Sequence, residues 1–311
     1  MKWRVIPVAC NICGSKQHTI LWIKDDFQYN RCAECGLVYI SPRLTEDEIS
    51  KIYGSLFKSK SLNKPPPVDF TSYNDFFKLI KKYREKNFLL DVGCFRGYLL
   101  SGAREQGWQV KGTELSEQAA ACARKDYGLD VHTGSLSDAN YPENFFDVVS
   151  MFDVIEHLTD PAEYLREIER ILRPGGVFYV ETPNFNSITR HILGKDWSIF
   201  FPWHLYYFTP RTLARLIDKV NLDVMSVSAT NWGPISTYNA CRDLNSSDSI
   251  TSGCNYTPKI ITDRYKKVLK PYYLSGVRMV NIPLKYLSIV GVNMGAKLIV
   301  IAEKSHGRVS S

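Results

Sequence analysis

The chain has no uncharged apolar run of the roughly 18 residues that a membrane span requires. Its nearest approach, YLSIVGVNMGA, is 11 residues long and lies between Lys285 and Lys297. The opening residues, MKWRVIPVACNICG, lack the charged-then-apolar pattern of a secretory leader and pass straight into cysteines. A cytoplasmic protein is the resulting expectation. G-x-G-x-x-G, the loop that a dinucleotide site prefers, is missing as well, and no internal repeat is visible.

What is present fits one large domain plus a small one, since 311 residues at 44% hydrophobic and 23% charged can bury a sizeable core. The net charge of +7 is concentrated near the end: Tyr256 to Arg308 hold ten Lys/Arg against two acids, Asp263 and Glu303. Such a tail suits nucleic acid, anionic lipid, a phosphorylated substrate or plain solvation. Peripheral membrane contact therefore stays open, and no oligomeric state is implied.

Four of the eight cysteines are patterned: Cys10-x2-Cys13, eighteen residues, then Cys32-x2-Cys35, with Gly14 and Gly36 directly after the pairs. Two C-x-x-C turns facing each other supply a tetrahedral set of soft ligands, the arrangement of a zinc ribbon. A disulfide or redox pair is the competing reading, and the absent leader and the matched glycines argue against it. Four cysteine ligands leave no open position, so this metal is expected to be structural. Cys122 is expected to pack inside its helix, Cys94 belongs to a glycine loop, and Cys241 and Cys254 carry no assignment.

After the ribbon, Thr45 and Glu48 read as a capping box starting a helix. SKSLNKPPPVDFTS reads as linker, and YNDFFKLIKKYREK as helical again. From Phe88 short apolar runs alternate with helices: FLLDVG, QVKGTEL, DVHTGSL, FDVVSMFDV and GVFYVETP as strands, with helices capped by Ser116 or begun near Pro161. This alternation predicts an α/β class, a doubly wound sheet that binds ligand at the carboxyl ends of its strands. DVMSVSA and AKLIVIAEK are two further strands, separated by an insertion. The expected domains are a zinc ribbon over 1–45, a helical linker or cap over 46–87, and the α/β domain over 88–311 with an insertion near 230–292.

In LLDVGCFRGYLL, Asp91 ends the first strand and Gly93 and Gly97 bracket the turn into a helix whose N-terminus offers free N–H groups. Glu114, twenty-three residues after Asp91 at the end of the second strand, can accept both hydroxyls of a ribose. By itself this loop suits either a nucleoside or no ligand. FDVVSMFDVIEHLTDPAEYLREIERILRPGGVFYVETPN closely resembles class I S-adenosylmethionine-dependent methyltransferases, as do LLDVGC and KGTELS. The likeness runs strongly from Phe88 to Asn184. CNICGS…RCAECGLVYISP and WHLYYFTPRTLARLI are similar to a bacterial zinc-ribbon subgroup, many of whose members act on sugars or other small metabolites.

The resemblance implies a Rossmann-like methyltransferase sheet in which Asp91, Gly93, Cys94, Phe95 and Gly97 hold the methionine end of S-adenosylmethionine. It gives Glu114 the ribose, with Leu115 beside it, and sets Ser135 and Leu136 at the adenine. Phe152 and Asp153 then lie near the sulfonium. Phe95 departs from the family, which usually has glycine there, although its backbone N–H remains. Methyl transfer needs alignment of a nucleophile with an activated carbon, and a base when the nucleophile carries a proton. His204 in FPWHLYYFT and His157 in DVIEHL are the candidates, with Tyr206 for positioning; each is equally readable as a packing residue. The remaining histidines, His18, His132, His191 and His306, have no context beyond surface or packing. The aromatic run WSIFFPWHLYYF suits core, as aromatic stripes usually do, or, given Pro202 and its lack of periodicity, a lid.

The expected partner is a small-molecule methyl acceptor, a sugar or nucleotide-linked sugar. A quinol or other aromatic O-methyl acceptor is the alternative, and a cofactor-binding scaffold without chemistry a further one. A nucleic-acid-binding zinc protein is disfavoured, because from Cys10 to Cys35 Lys16, Lys24 and Arg31 are balanced by Asp25, Asp26 and Glu34.

Overall fold

The computed structural model describes residues 3–56, 73–230 and 295–306. The core of the proline-rich linker, Cys241, Cys254, nearly all of the 230–292 insertion and much of the basic tail lie outside the described residues. Among those described, no helix is long and apolar enough to cross a membrane. The chain divides into two units. One gathers Met1–Ser59, Pro183–Thr212 and Val227–Ile299; the other gathers Lys60–Thr182, Leu213–Ser226 and Val300–Ser311.

The first unit begins with β1 (Val5–Ile6), β2 (His18–Lys24), β3 (Phe27–Cys32), β4 (Val38–Ile40), β5 (Arg43–Leu44) and α1 (Glu46–Leu56). Strands β2, β3 and β4 form an antiparallel meander, and β1 pairs with β5. Asp25 and Asp26 make the β2–β3 turn at φ 50° and 66°, a left-handed conformation that Asp tolerates and a tight hairpin demands. The capping box at α1 does not form. The Thr45 N–H donates to Arg4 O at 3.2 Å as β1 meets β5, and Thr45 Oγ1 is buried without a partner. Glu48 Oε1 instead accepts from Arg4 Nε at 3.3 Å and Lys51 Nζ at 2.9 Å. A long-range strand contact has displaced a local cap.

The sheet unit follows with α2 (Asn74–Ile80), β6 (Phe88–Val92), α3 (Tyr98–Glu105), β7 (Gln109–Glu114), α4 (Glu117–Tyr127), β8 (Asp130–Thr133), β9 (Phe146–Phe152), α5 (Pro161–Ile171) and β10 (Leu172–Pro183). The helix signals act as read. Ser116 Oγ accepts from Ala119 N–H at 3.3 Å, Asp160 caps α5 just before Pro161, and Gly128 closes α4 at φ 60°. Cys122 is only half-buried, because Ala119, Ala120 and Ala123 take the inner face of α4. Strands β6, β7, β8, β9 and β10 are parallel wherever they pair. All but the last residue of β9 are buried, as expected of a parallel strand covered on both faces.

α6 (Ile188–Leu193) and β11 (Tyr206–Tyr207) return to the first unit, where β11 pairs antiparallel with β4. The four-stranded order is thus β11-β4-β3-β2. The aromatic run is core here: Trp197, Phe200, Tyr207 and Phe208 are each at most 2% exposed. Phe200 lies edge-on to Trp22 and Tyr29, each at 5.0 Å between ring centres. α7 (Pro210–Ile217), β12 (Leu222–Thr230) and β13 (Lys297–Lys304) complete the chain. The large sheet then has the order β12-β13-β10-β9-β6-β7-β8. The chain steps from β6 to β7 and β8 on one side, then crosses to β9 and β10 on the other. The crevice for a ligand opens where the order reverses, at the carboxyl ends of β6 and β9.

The opposite end of those strands is clamped by one acid. Asp147, fully buried, accepts from the N–H groups of Glu85, Lys86 and Phe88 at 3.0–3.2 Å and from Arg173 Nε at 2.6 Å. Burial opposes its ionisation, but Arg173 and the N–H groups outweigh it and hold the carboxyl below its ordinary range.

Candidate cofactor site and cysteine cluster

The β6–α3 loop is dictated by sterics. A Cβ on Gly93 would lie 2.5 Å from Val154, and one on Gly97 2.3 Å from Leu129. Phe95 also has φ 50°, a left-handed backbone that costs a side-chain-bearing residue about 1–2 kcal/mol. One carboxylate pins this loop: Phe95 N–H donates to Glu114 Oε2 at 2.9 Å, and Ser116 N–H to Oε1 at 2.8 Å. Phe95 therefore holds the left-handed backbone where the family usually has glycine, and its N–H is in use. Cys94 turns inward, its sulfur 2.6 Å from where a Gly112 Cβ would stand, so only its backbone faces the loop. Arg96 is 2% exposed and reaches Asp126 at 2.9 Å, tying the loop to α4.

Behind the loop Asp91 accepts from Ser150 Oγ at 2.7 Å. Burial pushes the Asp91 carboxyl up to about 7; the Ser150 bond opposes this and the neighbouring Glu114 charge adds to it. Glu114 is likewise raised by burial, against the N–H groups that it accepts. Leu115 is 64% exposed directly beside this carboxylate. Gly134 N–H donates to Glu114 O at 3.0 Å, which brings the loop after β8 alongside. There Ser135 donates its N–H and hydroxyl to Asp138, at 3.0 and 2.6 Å, and Leu136 is buried. Phe152 ends β9 in a cluster of rings: Tyr179 at 5.1 Å, Phe76 at 5.3 Å and Tyr73 at 5.7 Å. Asp153 follows at φ 53°, its N–H donated to Glu181 O.

The proposed bases fall in different units. His157 ends a 3-10 turn over Ile155–His157, with Nε2 3.8 Å from Glu156 Oε1. Glu156 is 1% exposed and accepts from Thr182 Oγ1 at 2.9 Å. His204 is buried in the first unit, edge-on to Phe201 at 5.3 Å. Tyr206 lies on β11 and accepts from Arg43 Nη1 at 2.9 Å. Sequence reading missed Ser150, the Phe152 ring cluster and the Arg96–Asp126 tie. Of these only Ser150 left a trace, as one hydroxyl in the apolar run FDVVSMF.

The cysteine cluster closes as its spacing requires. Gly14 and Gly36 N–H groups donate to Cys10 O and Cys32 O, at 2.8 and 3.1 Å, with φ 73° and 80°. All four sulfurs lie within 4.8 Å of one another, with Cys10–Cys35 at 3.3 Å and Cys13–Cys32 at 3.4 Å. Tetrahedral zinc–thiolate bonds of about 2.3 Å would set sulfurs about 3.8 Å apart, so the set matches such a centre in donor type and size. Burial raises the Cys10 and Cys35 thiols. At Cys32 burial is outweighed by the N–H groups of Cys35 and Glu34, which bring it down to about 7.

Strand order, switch-point crevice and glycine loop together define a class I methyltransferase fold. A model of the methyltransferase domain matches residues 70–227, just over half of the chain, and the chain belongs to that family. It is 34% identical over 137 residues to a probable S-adenosylmethionine-dependent methyltransferase of Mycolicibacterium smegmatis, a match covering 44% of this chain and 52% of that protein. A ubiquinone biosynthesis O-methyltransferase of Cereibacter sphaeroides is 31% identical over 160 residues, or 48% of this chain and 65% of that one. The chain thus spans between half and two thirds of these relatives' lengths. Among solved structures, the cyclase SpnF shares the fold at TM-score 0.54 and 19% identity, over 86% of this chain and 99% of that one. Phosphoethanolamine N-methyltransferase 2 of Haemonchus contortus, in complex with S-adenosyl-L-methionine, does so at TM-score 0.50 and 18% identity, over 84% and 58%. Proteins described as a cyclase and as a methyltransferase share this fold, so the reaction must be argued from the site.

Proposed function

We propose that the chain transfers a methyl group from S-adenosylmethionine to a small-molecule acceptor, a sugar or nucleotide-linked sugar. The observation that carries the reading is the buried Glu114 carboxylate at the switch point, holding the loop by Phe95 N–H beside the exposed Leu115. Bound there, the cofactor supplies a methyl group already activated by positive sulfur. The chain's own task is then alignment and exclusion of water. Asp91 and the backbone of residues 93–97 hold the methionine end. Glu114 accepts the ribose hydroxyls on its remaining lone pairs. Leu115, Ser135 and Leu136 border the adenine, and Phe152 and Asp153 flank the reacting end. His204 is the first choice of base and His157 the second, with Tyr206 positioning the acceptor.

Cys10, Cys13, Cys32 and Cys35 hold a structural zinc in this reading, with no open coordination position. The domain limits stay at 1–45, 46–87 and 88–311, and the location is cytoplasmic. A second reading, an aromatic acceptor such as a quinol, draws on the ring cluster of Phe152, Tyr179, Phe76 and Tyr73, which suits a flat apolar substrate.

Calorimetric titration with S-adenosylmethionine tests the cofactor site. Micromolar binding is expected, weakened by at least about 100-fold in Glu114→Ala, because two charge-assisted hydrogen bonds are worth about 1.5–3 kcal/mol each. Wild-type protein that gives neither heat nor thermal shift would overturn the proposal. Multiple turnovers with sugar nucleotides, against quinols, then decide the acceptor.

A further inference from the structure

The first unit carries two arginines that its own acids leave unneutralised. Arg31 stands exposed on β3, two residues after Tyr29 and so on the same face of the strand. Tyr29 stacks on Trp22 at 5.9 Å, and Trp22 on Phe185 at 6.3 Å. The Arg190 guanidinium lies over the Phe185 ring at 4.3 Å. This row of rings leads from the strand of Arg31 to Arg190. The Lys24 ammonium stands over Phe200 on the same row, 5.6 Å from the ring centre.

Arg190 is half-buried and anchored, donating through Nε to Phe185 O at 2.7 Å. Its Nη2 is 3.0 Å from His191 Nε2, and His191 Nδ1 is 2.9 Å from Ser187 O. A carbonyl can only accept and a guanidinium only donate, so Nδ1 donates to Ser187 O and Nε2 accepts from Arg190. Among the described residues neither arginine forms an ion pair with a carboxylate. Arg190 is held below its ordinary pKa by burial and then by the charge of Arg31. A fixed, half-buried guanidinium with no carboxylate to offset it is costly unless an anion completes the group. Guanidinium forks match phosphate oxygens in pairs.

We infer that Arg31 and Arg190, with His191 fixing the fork of Arg190, form a site for a phosphoryl group, the phosphate or diphosphate of the methyl acceptor. The inference deepens the sugar-nucleotide reading and rests on it for the identity of the ligand. It also gives a reason for an acceptor activated as a phosphate ester over a neutral quinol.

The test is calorimetry on the full, zinc-loaded chain at low salt with inorganic pyrophosphate, uridine diphosphate and uridine, alongside S-adenosylmethionine. Vesicles of phosphatidylglycerol form a separate arm. Pyrophosphate and uridine diphosphate are expected to bind and uridine not to. Arg31→Gln should weaken diphosphate binding at least tenfold and leave S-adenosylmethionine affinity within twofold. Arg190→Lys, which keeps the charge and the stem over Phe185 but loses the fork, should weaken it at least fivefold with an unchanged melting temperature. Absence of diphosphate binding, binding unaffected in both variants, or binding to vesicles alone would each overturn the inference. If S-adenosylmethionine binds and diphosphate does not, this inference fails by itself; if S-adenosylmethionine does not bind, the methyltransferase reading fails.

Discussion

The two units hold their glycine loops in opposite ways. In the sheet unit the loop rests on a large apolar sheet, and one carboxylate, Glu114, fixes it through two N–H groups. In the cysteine-bearing unit strands of two to seven residues cannot bury comparable surface. There the turns depend on four sulfurs and a packed set of rings. A loop on a broad core can spare its polar groups for a ligand, whereas a loop on a small core spends its functional groups on its own cohesion.

The strongest way to break this comparison is to remove the sulfurs. Structural zinc in small modules contributes on the order of 10 kcal/mol. Cys32→Ser, or chelation, should therefore abolish the near-ultraviolet dichroism of the Trp22–Tyr29–Phe200 cluster and leave S-adenosylmethionine affinity within threefold. Joint loss of both signals would mean that the units do not separate. The matching cut in the sheet unit is Asp147→Ala, which removes the buried partner of Arg173 and leaves it only the exposed Glu85, at 3.0 Å. A loss of about 3–5 kcal/mol in denaturant unfolding is expected, against under 1 kcal/mol for the exposed control Asp223→Ala.

A smaller effect concerns Asp91. Its folded pKa of about 7 lies above the ordinary 3.8, so between those values the folded protein binds the proton and the unfolded chain does not. Stability of the ligand-free protein then falls as pH rises through that window. The melting temperature should be higher at pH 5.5 than at pH 8. Asp91→Asn should flatten that dependence while weakening cofactor binding, and an unchanged slope would remove Asp91 as its source. The smallest effect expected is that of Phe95→Gly. Relief of about 1–2 kcal/mol of backbone strain is offset by about 0.5–1 kcal/mol of glycine entropy. Net stabilisation below about 1 kcal/mol, seen by denaturant unfolding, would fit a left-handed Phe95; marked destabilisation would mean that its ring carries packing.

The misreadings share a cause. Thr45 had the right neighbours for a cap, but its N–H is donated to Arg4 O where β1 meets β5. The aromatic run is core because its rings meet partners on β2 and β3 and the ring of Phe185 as well as one another. Arg96 carried no assignment, because its partner Asp126 lies a helix away. Arg31 and Arg190 were two among 39 basic residues, and only the row of rings relates them.

The sequence by itself determined what is local: the cysteine turns, the alternation of strand and helix, the caps at Ser116 and Asp160, the two required glycines, and Glu114 at a strand end. Each is a matter of spacing along one chain segment, where a period or a permitted φ decides. The tertiary structure alone decided which groups close on one another. Strand β11 joined the cysteine-bearing sheet, Asp147 gathered three strand starts, and Arg96 reached Asp126. Those choices depend on register and packing between segments far apart in the chain, where many pairings satisfy the same local pattern and only long-range contacts select among them.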